Sequence, residues 1–395
     1  MTAKSSLKKA TLRNVLIIIV TALVGYAIFL TVRIQTLSES EKHIAQKFEE
    51  TKKTLDKNVK ELTVLKNRNE YQINLTQQDE IKNIQNTYNS AFLTYEELVK
   101  LKELKVNIPA LDQEFVKALA QLSKRDYKGA EATLSPLRSK ITEERNKVAA
   151  SFTIPANVPK DNSPPSSGPK KQSVVTEFGT FLVDIIAADL NSTRVVVDTA
   201  SESTCKNDCP VASLATYASR SGAFAGINGP YFCPAAYPSC ADKKNSFDTL
   251  LMNKNKTYFN SENNVYSTVP AVIFSGTSVR YVGASLEWGR DTGVDAVIAN
   301  PPLIVVSGNV VFGGDEEAKR SSAGARSFIG NSGSTVYIGV VYNASVAQAA
   351  RVIKALGIQN AINLDNGGST ALWSDGRYIA GPGRDTPFGV LFVRK

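Results

Sequence analysis

The run "INLDNGGSTALW", residues 362–373, carries a hydrophobic stretch to an acid, then spends Asp365, Asn366, Gly367, Gly368, Ser369 and Thr370 before turning apolar again. A turn between strands needs one glycine for a positive φ and an Asx residue to start it, so the extra carboxylate and hydroxyls call for another reason. Two further stretches gather similar groups. In "AGINGPYF" an apolar run ends at Asn228-Gly229, which puts a carboxamide on a turn beside aromatic residues able to stack on a sugar face. In "GARSFIGN" a lone Arg326 stands between small residues just ahead of a strand. Each has a plain reading: Asn-Gly is a common turn, arginines are mostly surface charges, and Asp-Asn-Gly-Gly makes a tight turn. All three are nevertheless polar turns abutting hydrophobic strands, the arrangement by which a sheet presents a site at its strand ends.

Histidine narrows the chemistry. The chain's one histidine is His43, far upstream of these stretches. Ser-His-Asp and Cys-His mechanisms and histidine-ligated zinc are therefore excluded for the C-terminal part. What remains is carboxylates, Arg, Lys, amides, hydroxyls and backbone N–H groups, and no cofactor is expected, the metal requirement being left open by the sequence.

The elements that must position these groups begin near Ser173. From there the texture is short β-branched runs such as "FLVDIIAADL", "RVVVDTA", "DAVIANPPLIVVSG" and "TVYIGVVY", with one clear helix over Ser345–Leu356, capped by Ser345 and ended by Gly357. Residues 173–395 are thus expected to form a strand-rich mixed α/β, or α+β, domain. Ahead of it, residues 154–172 ("IPANVPKDNSPPSSGPKKQ") have the proline and serine content of an extended linker. Residues 34–153 form an expected helical stalk. Its first part, to about Leu104, repeats Ile34, Leu37, Ile44, Phe48, Leu55, Leu62 and Leu65 at heptad spacing, a coiled-coil pattern interrupted by Glu41, Thr51 and Asn58 that would allow a homo-oligomer. After Pro109 come two short helices around a turn at Asp126–Gly129, a helical hairpin.

The N-terminal segment "NVLIIIVTALVGYAIFLTV" carries no charge between Arg13 and Arg33. As a helix it spans roughly 28 Å, the thickness of a bilayer core. We read residues 14–33 as one transmembrane anchor in preference to a cleaved signal peptide, since the apolar run is long and no small-residue cleavage site follows. Lys4, Lys8, Lys9 and Arg13 precede it and Glu39 and Glu41 follow, which leaves residues 1–13 as a cytoplasmic tail and the remainder outside the cytoplasm. In that compartment Cys205, Cys209, Cys233 and Cys240 read as two disulfides with three possible pairings, a four-thiolate zinc site being the rival. The net charge of +9 comes from scattered basic residues accompanied by acids, a pattern that excludes a nucleic-acid partner and suits anionic wall polymers or lipids.

The ordered blocks "GINGPYF", "NPPLIVVSG", "GARSFIG" and "NLDNGGSTAL" resemble the signature of the phosphodiester glycosidase family, over roughly Ser173 to Lys395. The chain keeps the family's Asn228, Arg326, Asp365, Gly367, Gly368, Ser369 and Thr370 and departs from its usual pattern at Pro230, Ser327 and Asn366, the last replacing a glycine with the residue that best tolerates a left-handed backbone. The resemblance implies a hydrolase that cleaves the glycosidic bond of sugar 1-phosphodiesters of wall or exopolysaccharide type. In that reading Asp365 is nucleophile or general base, Arg326 grips the phosphodiester, and Asn228 holds sugar hydroxyls or an N-acetyl group. Gly229, Ser327, Gly367, Gly368, Ser369 and Thr370 line the substrate, with Glu287, Asp291 and Asp295 as candidate second carboxylates. A phosphate leaving group needs little protonation, which suits a site without histidine. The alternative is a non-catalytic module that binds phosphorylated wall glycans on an anchored stalk, or a scaffold whose function lies in the coiled coil.

Overall fold

The computed structural model of the chain describes residues 3–247, 249–261 and 268–395. Met1 and Thr2 of the expected cytoplasmic tail lie outside the described residues. The chain divides into two compact units, residues 1–83 and 84–395.

The first unit is helical. Helix α1 (Ala3–Lys66) runs for 64 residues, and the next helix, α2 (Asn69–Glu103), continues into the second unit. The helix expected to run unbroken to about Leu104 is interrupted at Asn67–Arg68, where the Arg68 N–H tightens onto the Leu65 carbonyl. Asparagine is a poor helix former, and Asn67 and Asn69 flank that turn. The apolar side chains from Leu16 to Val32 are exposed, in a helix long and apolar enough to cross a membrane. The heptad positions of α1 are exposed as well, so the helix is shown and a coiled coil is not.

In the second unit the end of α2 packs with α3 (Pro109–Ser123) and α4 (Tyr127–Ser151) around Leu98, Leu101, Phe115, Leu122, Leu134 and Ile141. Asp126 caps α4, its carboxylate accepting from the Gly129 N–H at 2.9 Å. The expected hairpin is therefore two arms of a three-helix bundle. Ala91, Leu98 and Leu101 belong to this bundle's core and not to a continuing heptad seam.

Residues 154–172, expected as an extended linker, are partly ordered against the domain. The first strand, β1 (Gly168–Thr176), starts at Gly168 and not at Ser173, and the preceding loop is pinned along it. Asp161 accepts from Lys170 Nζ at 2.6 Å, Gln172 Nε2 donates to the Asp161 and Ser163 carbonyls, and the Ser173 N–H donates to the Pro159 carbonyl. Prolines hold a segment extended, and an extended segment can lie along a strand and satisfy its polar groups there.

The domain that follows is strand-rich, with three antiparallel sheets among the described residues. The first holds β1, β2 (Gly179–Asp189), β10 (Leu303–Val306), β11 (Asn309–Val310), β12 (Gly324–Ser332), β13 (Thr335–Ala344) and β14 (Asn360–Asn363), in the order β1-β2-β13-β12-β14-β10-β11. The second holds β3 (Thr193–Thr199), β4 (Ala223–Asn228), β15 (Leu372–Ser374), β16 (Arg377–Ala380) and β17 (Phe388–Arg394), in the order β16-β15-β4-β17-β3. The third holds β5 to β9, from Leu251 to Ala299. One central core joins all three, with Ile186, Ile338 and Ile362 from the first sheet, Val197, Ile227 and Val390 from the second, and Leu251, Val272 and Ile298 from the third. Outer faces are covered separately. Helix α5 (Leu214–Arg220) covers the second sheet through Leu214 and Tyr217, and helix α6 (Val346–Ala355) covers the first through Val346, Ala350 and Ile353. Helix α6 has the caps read from sequence: Ser345 and Gln348 form a capping box, and Gly357 ends it at φ +75°. The pairing of cysteines is local, Cys205 with Cys209 and Cys233 with Cys240.

Candidate active site

The polar run after β14 is the crossing from the first sheet to the second. It leaves β14 at Asn363 and re-enters as β15, whose Leu372 pairs with Ile227 of β4. A chain changing sheets exposes backbone polar groups to no regular partner, so side chains must supply the bonds.

Asn228, at the end of β4, does most of this. Its Nδ2 donates to the carbonyls of Asp365 (2.8 Å) and Gly229 (3.2 Å), and its Oδ1 accepts from Ser327 Oγ (2.9 Å) and the Ala371 N–H (3.1 Å). The side chain is fully engaged and buried, so the contact with sugar hydroxyls expected of it finds no free atom. Ser327 lies beside it, also buried, its N–H donating to Asn366 Oδ1 at 2.9 Å. Gly229 is required because a methyl there would penetrate the ring of Phe388. Asn366 is extended (φ −126°) and the left-handed residue is Gly367 (φ +60°), which corrects the expectation that position 366 demands tolerance of a positive φ. The Asn366 amide bridges instead to Asn363 Oδ1 (3.2 Å) and the Tyr231 hydroxyl (3.4 Å).

Above this framework lies a cleft of about 490 Å³. Asp365, Asn366, Gly367, Gly368, Ser369 and Arg326 line it, whereas Asn228, Gly229, Ser327 and Thr370 lie beneath it or behind it. Neighbouring residues of one strand face opposite ways, which is why Arg326 reaches the cleft and Ser327 reaches Asn228. Asp365 accepts from the Asn366 N–H at 2.9 Å and from Ser369, its N–H donates to the Gly229 carbonyl, and it is partly open to the cleft. Its depth among protein atoms pushes the carboxyl up to about 6, and the Ser369 hydroxyl and the Arg384 charge moderate that rise.

Arg326 is 4 % exposed and donates to the carbonyls of Ala344 (2.8 Å), Lys319 (2.8 Å) and Ser322. It pairs with no carboxylate among the described residues, and burial brings its guanidinium down to about 10. Carbonyls orient the group without neutralising it. Three of its five N–H donors are spent and the others remain for a ligand.

The candidate second carboxylates do not line the cleft: Glu287 and Asp291 close local turns, and Asp295 ties its segment to a turn 19 residues earlier. Glu287 accepts from the Ala284 N–H, Asp291 from the Gly293 N–H and Asp295 from the Gly276 N–H. Beside Asp365, the carboxylates that reach the cleft are Glu317 and Glu103, the latter at the end of α2, where burial raises its carboxyl against the pull of Arg384 and Lys100. Arg384 and Glu103 escaped the sequence reading. Arg384 had a signal in "GPGRDTP", a glycine-proline turn holding one arginine; Glu103 had none, being one of many acids in a polar helix. Basic residues dominate the walls: Lys100, Arg145, Lys243, Lys319, Arg320, Arg326 and Arg384 face Glu103, Glu317 and Asp365.

An antiparallel, strand-rich α+β domain with a cationic cleft over a sheet-crossing Asp-Asn-Gly-Gly-Ser turn is the architecture found here. Residues 221–393 match the model of the phosphodiester glycosidase family, NAGPA, so the chain carries a phosphodiester glycosidase domain. The match is narrower than the span read from sequence and leaves the helical bundle and β1 to β3 outside it. Among solved structures, the chain is similar to the zebrafish N-acetylglucosamine-1-phosphodiester alpha-N-acetylglucosaminidase catalytic domain auto-inhibited by its pro-peptide, at 13 % identity, covering 60 % of this chain and 87 % of that one, with a TM-score of 0.46. It is also similar to a hypothetical protein from Synechocystis, at 13 % identity and a TM-score of 0.39, covering 57 % of this chain and 62 % of that one. The chain thus spans less than two thirds of the Synechocystis protein. No curated protein matches it.

Proposed function

We propose that the protein is a membrane-anchored, extracytoplasmic hydrolase that cleaves the glycosidic bond of sugar 1-phosphodiesters. The observation that carries this reading is Arg326: a buried guanidinium without a carboxylate partner, opening on a cleft where cations outnumber acids. A buried charge is stabilised by an opposite one, and a phosphodiester anion supplies it with two-point geometry. The Gly367–Gly368 amides and the Ser369 hydroxyl complete the cradle, and Gly367 presents its backbone without a side chain in the way. Asp365 is the nucleophile, or the base that activates water. Asn228 and Ser327 hold the crossing segment in place through their side chains, and Thr370 through its N–H, which donates to the Gly367 carbonyl.

The exposed apolar helix supports anchoring, and the two disulfides with the basic residues ahead of the span support an extracytoplasmic domain. The test is hydrolysis of a model sugar phosphodiester by the detergent-solubilised chain and by Asp365→Asn. The amide keeps the shape but is a poor nucleophile and base, so turnover should fall by orders of magnitude while substrate still binds. Binding without turnover in the unaltered protein would leave a recognition module in place of an enzyme.

A further inference from the structure

Glu103 belongs to the helical bundle, outside the family match, yet it sits in the cleft. One of its carboxylate oxygens accepts from Arg384 Nη2 at 2.6 Å, and the carboxylate lies where a side chain at Gly368 would be. Arg384 is itself tied to the catalytic turn, because its N–H donates to the Gly368 carbonyl at 2.8 Å and its guanidinium lies 5.2 Å from the Tyr237 ring centroid. Its Nε is buried and has no hydrogen-bond partner among the described residues, so the cation beside the Gly368 segment is stabilised chiefly by this resident acid, Glu103. The bundle is held to this wall independently of Glu103, since Glu96 accepts from the Ser239 N–H and hydroxyl within the Cys233–Cys240 loop.

We propose that Glu103 is a specificity residue of the cleft, its fixed negative charge on Arg384 admitting singly charged phosphodiesters and rejecting doubly charged phosphomonoesters. The inference rests on the function proposed above and refines its substrate class. The chemistry gives the discrimination a use. Cleaving the sugar C1–O bond of a phosphodiester, with water adding to C1, releases the free sugar and a phosphomonoester. Near neutral pH that product carries up to one more negative charge than the substrate it came from. A cleft of lysines and arginines alone would hold such a product more tightly than its substrate. A carboxylate beside the phosphate site penalises the extra charge selectively and speeds departure.

The experiment compares dimethyl phosphate with methyl phosphate as ligands of the full chain in detergent at pH 8, by calorimetry, in the unaltered protein and in Glu103→Gln. Loss of one unit-charge repulsion at a partly screened site should tighten monoester binding by roughly tenfold relative to diester. In parallel, methyl phosphate should become a correspondingly stronger inhibitor of sugar-phosphodiester hydrolysis. Glu103→Asp, which keeps the charge, should retain the discrimination, and a circular dichroism spectrum confirms that the bundle persists in both variants. If Glu103→Gln shifts monoester and diester equally, Glu103 only buttresses Arg384 and the proposal is overturned, while hydrolysis by the unaltered chain still stands. If neither phosphate binds and no sugar phosphodiester is cleaved, both readings fail together.

Discussion

Replacing Asn228 with alanine separates a strut from a substrate ligand, and its cost can be worked from the four hydrogen bonds the side chain makes. One of its partners recovers unaided, since the Gly229 carbonyl keeps the bond it accepts from the Asp365 N–H. The Ser327 hydroxyl, the Ala371 N–H and the Asp365 carbonyl lose the bond to Asn228 in a place where water has poor access. Three orphaned buried groups at roughly 1–3 kcal/mol each give about 3–9 kcal/mol in all. For a domain of this size even the lower end of that loss lowers Tm by about 6–12 °C. The chain's two tryptophans, Trp288 and Trp373, both lie in the strand-rich domain, so thermal unfolding followed by tryptophan fluorescence reports this domain without interference from the helices. Asn228→Asp should be destabilised as well, because it turns a double donor into an acceptor facing two carbonyls. A Tm shift under about 2 °C combined with a tenfold rise in KM would refute the argument, since those are the marks of a group that binds sugar and bears no structural load.

Because the Asp365 carboxyl is pushed up to about 6 and the ionised form is the reactive one, activity should be low below that pH, rise through it and level off above it. The same shift has the opposite sign for stability: the folded state holds its proton longer than the unfolded one, so stability is lost between the ordinary carboxylate range and about 6, and Asp365→Asn should gain in relative Tm over that interval. Arg326→Lys cannot reproduce three carbonyl contacts and a two-point grip, so it should weaken phosphodiester hydrolysis by roughly 2 kcal/mol or more while affecting a neutral aryl glycoside less; equal loss on both would make Arg326 purely structural. Thiol titration of the native chain should find no reactive cysteine, and a native count of four would dismiss the disulfides. Protease added to intact cells should digest the C-terminal domain, and a fully protected domain would reverse the orientation.

Much of the organisation was legible along the chain because its signals are local. An uncharged run of membrane length, a Ser-x-x-Gln cap before an apolar helix, and a change from helical to alternating periodicity are each set by residues near one another. The blocks around Asn228, Arg326 and Asp365 were legible for the same reason, as polar turns at the ends of apolar strands. Composition said less where a local property had two outcomes: proline and serine read as an extended linker over residues 154–172, and only the structure shows that extended segment lying along β1.

The sequence by itself determined which groups exist to do chemistry: a carboxylate, a guanidinium, glycines and hydroxyls in the absence of nearby histidine. Only the tertiary structure decided which of them face the cleft. Asn228 and Arg326 looked alike as lone polar residues beside strands, but the crossing from one sheet to the other consumes every donor and acceptor of Asn228 and leaves Arg326 with donors to spare. Glu103 and Arg384 stand 281 residues apart in sequence and meet through the docking of the bundle on the domain. A contact of that kind has no signature in either neighbourhood, because its energy comes from long-range packing and charge pairing, which spacing along a chain does not encode.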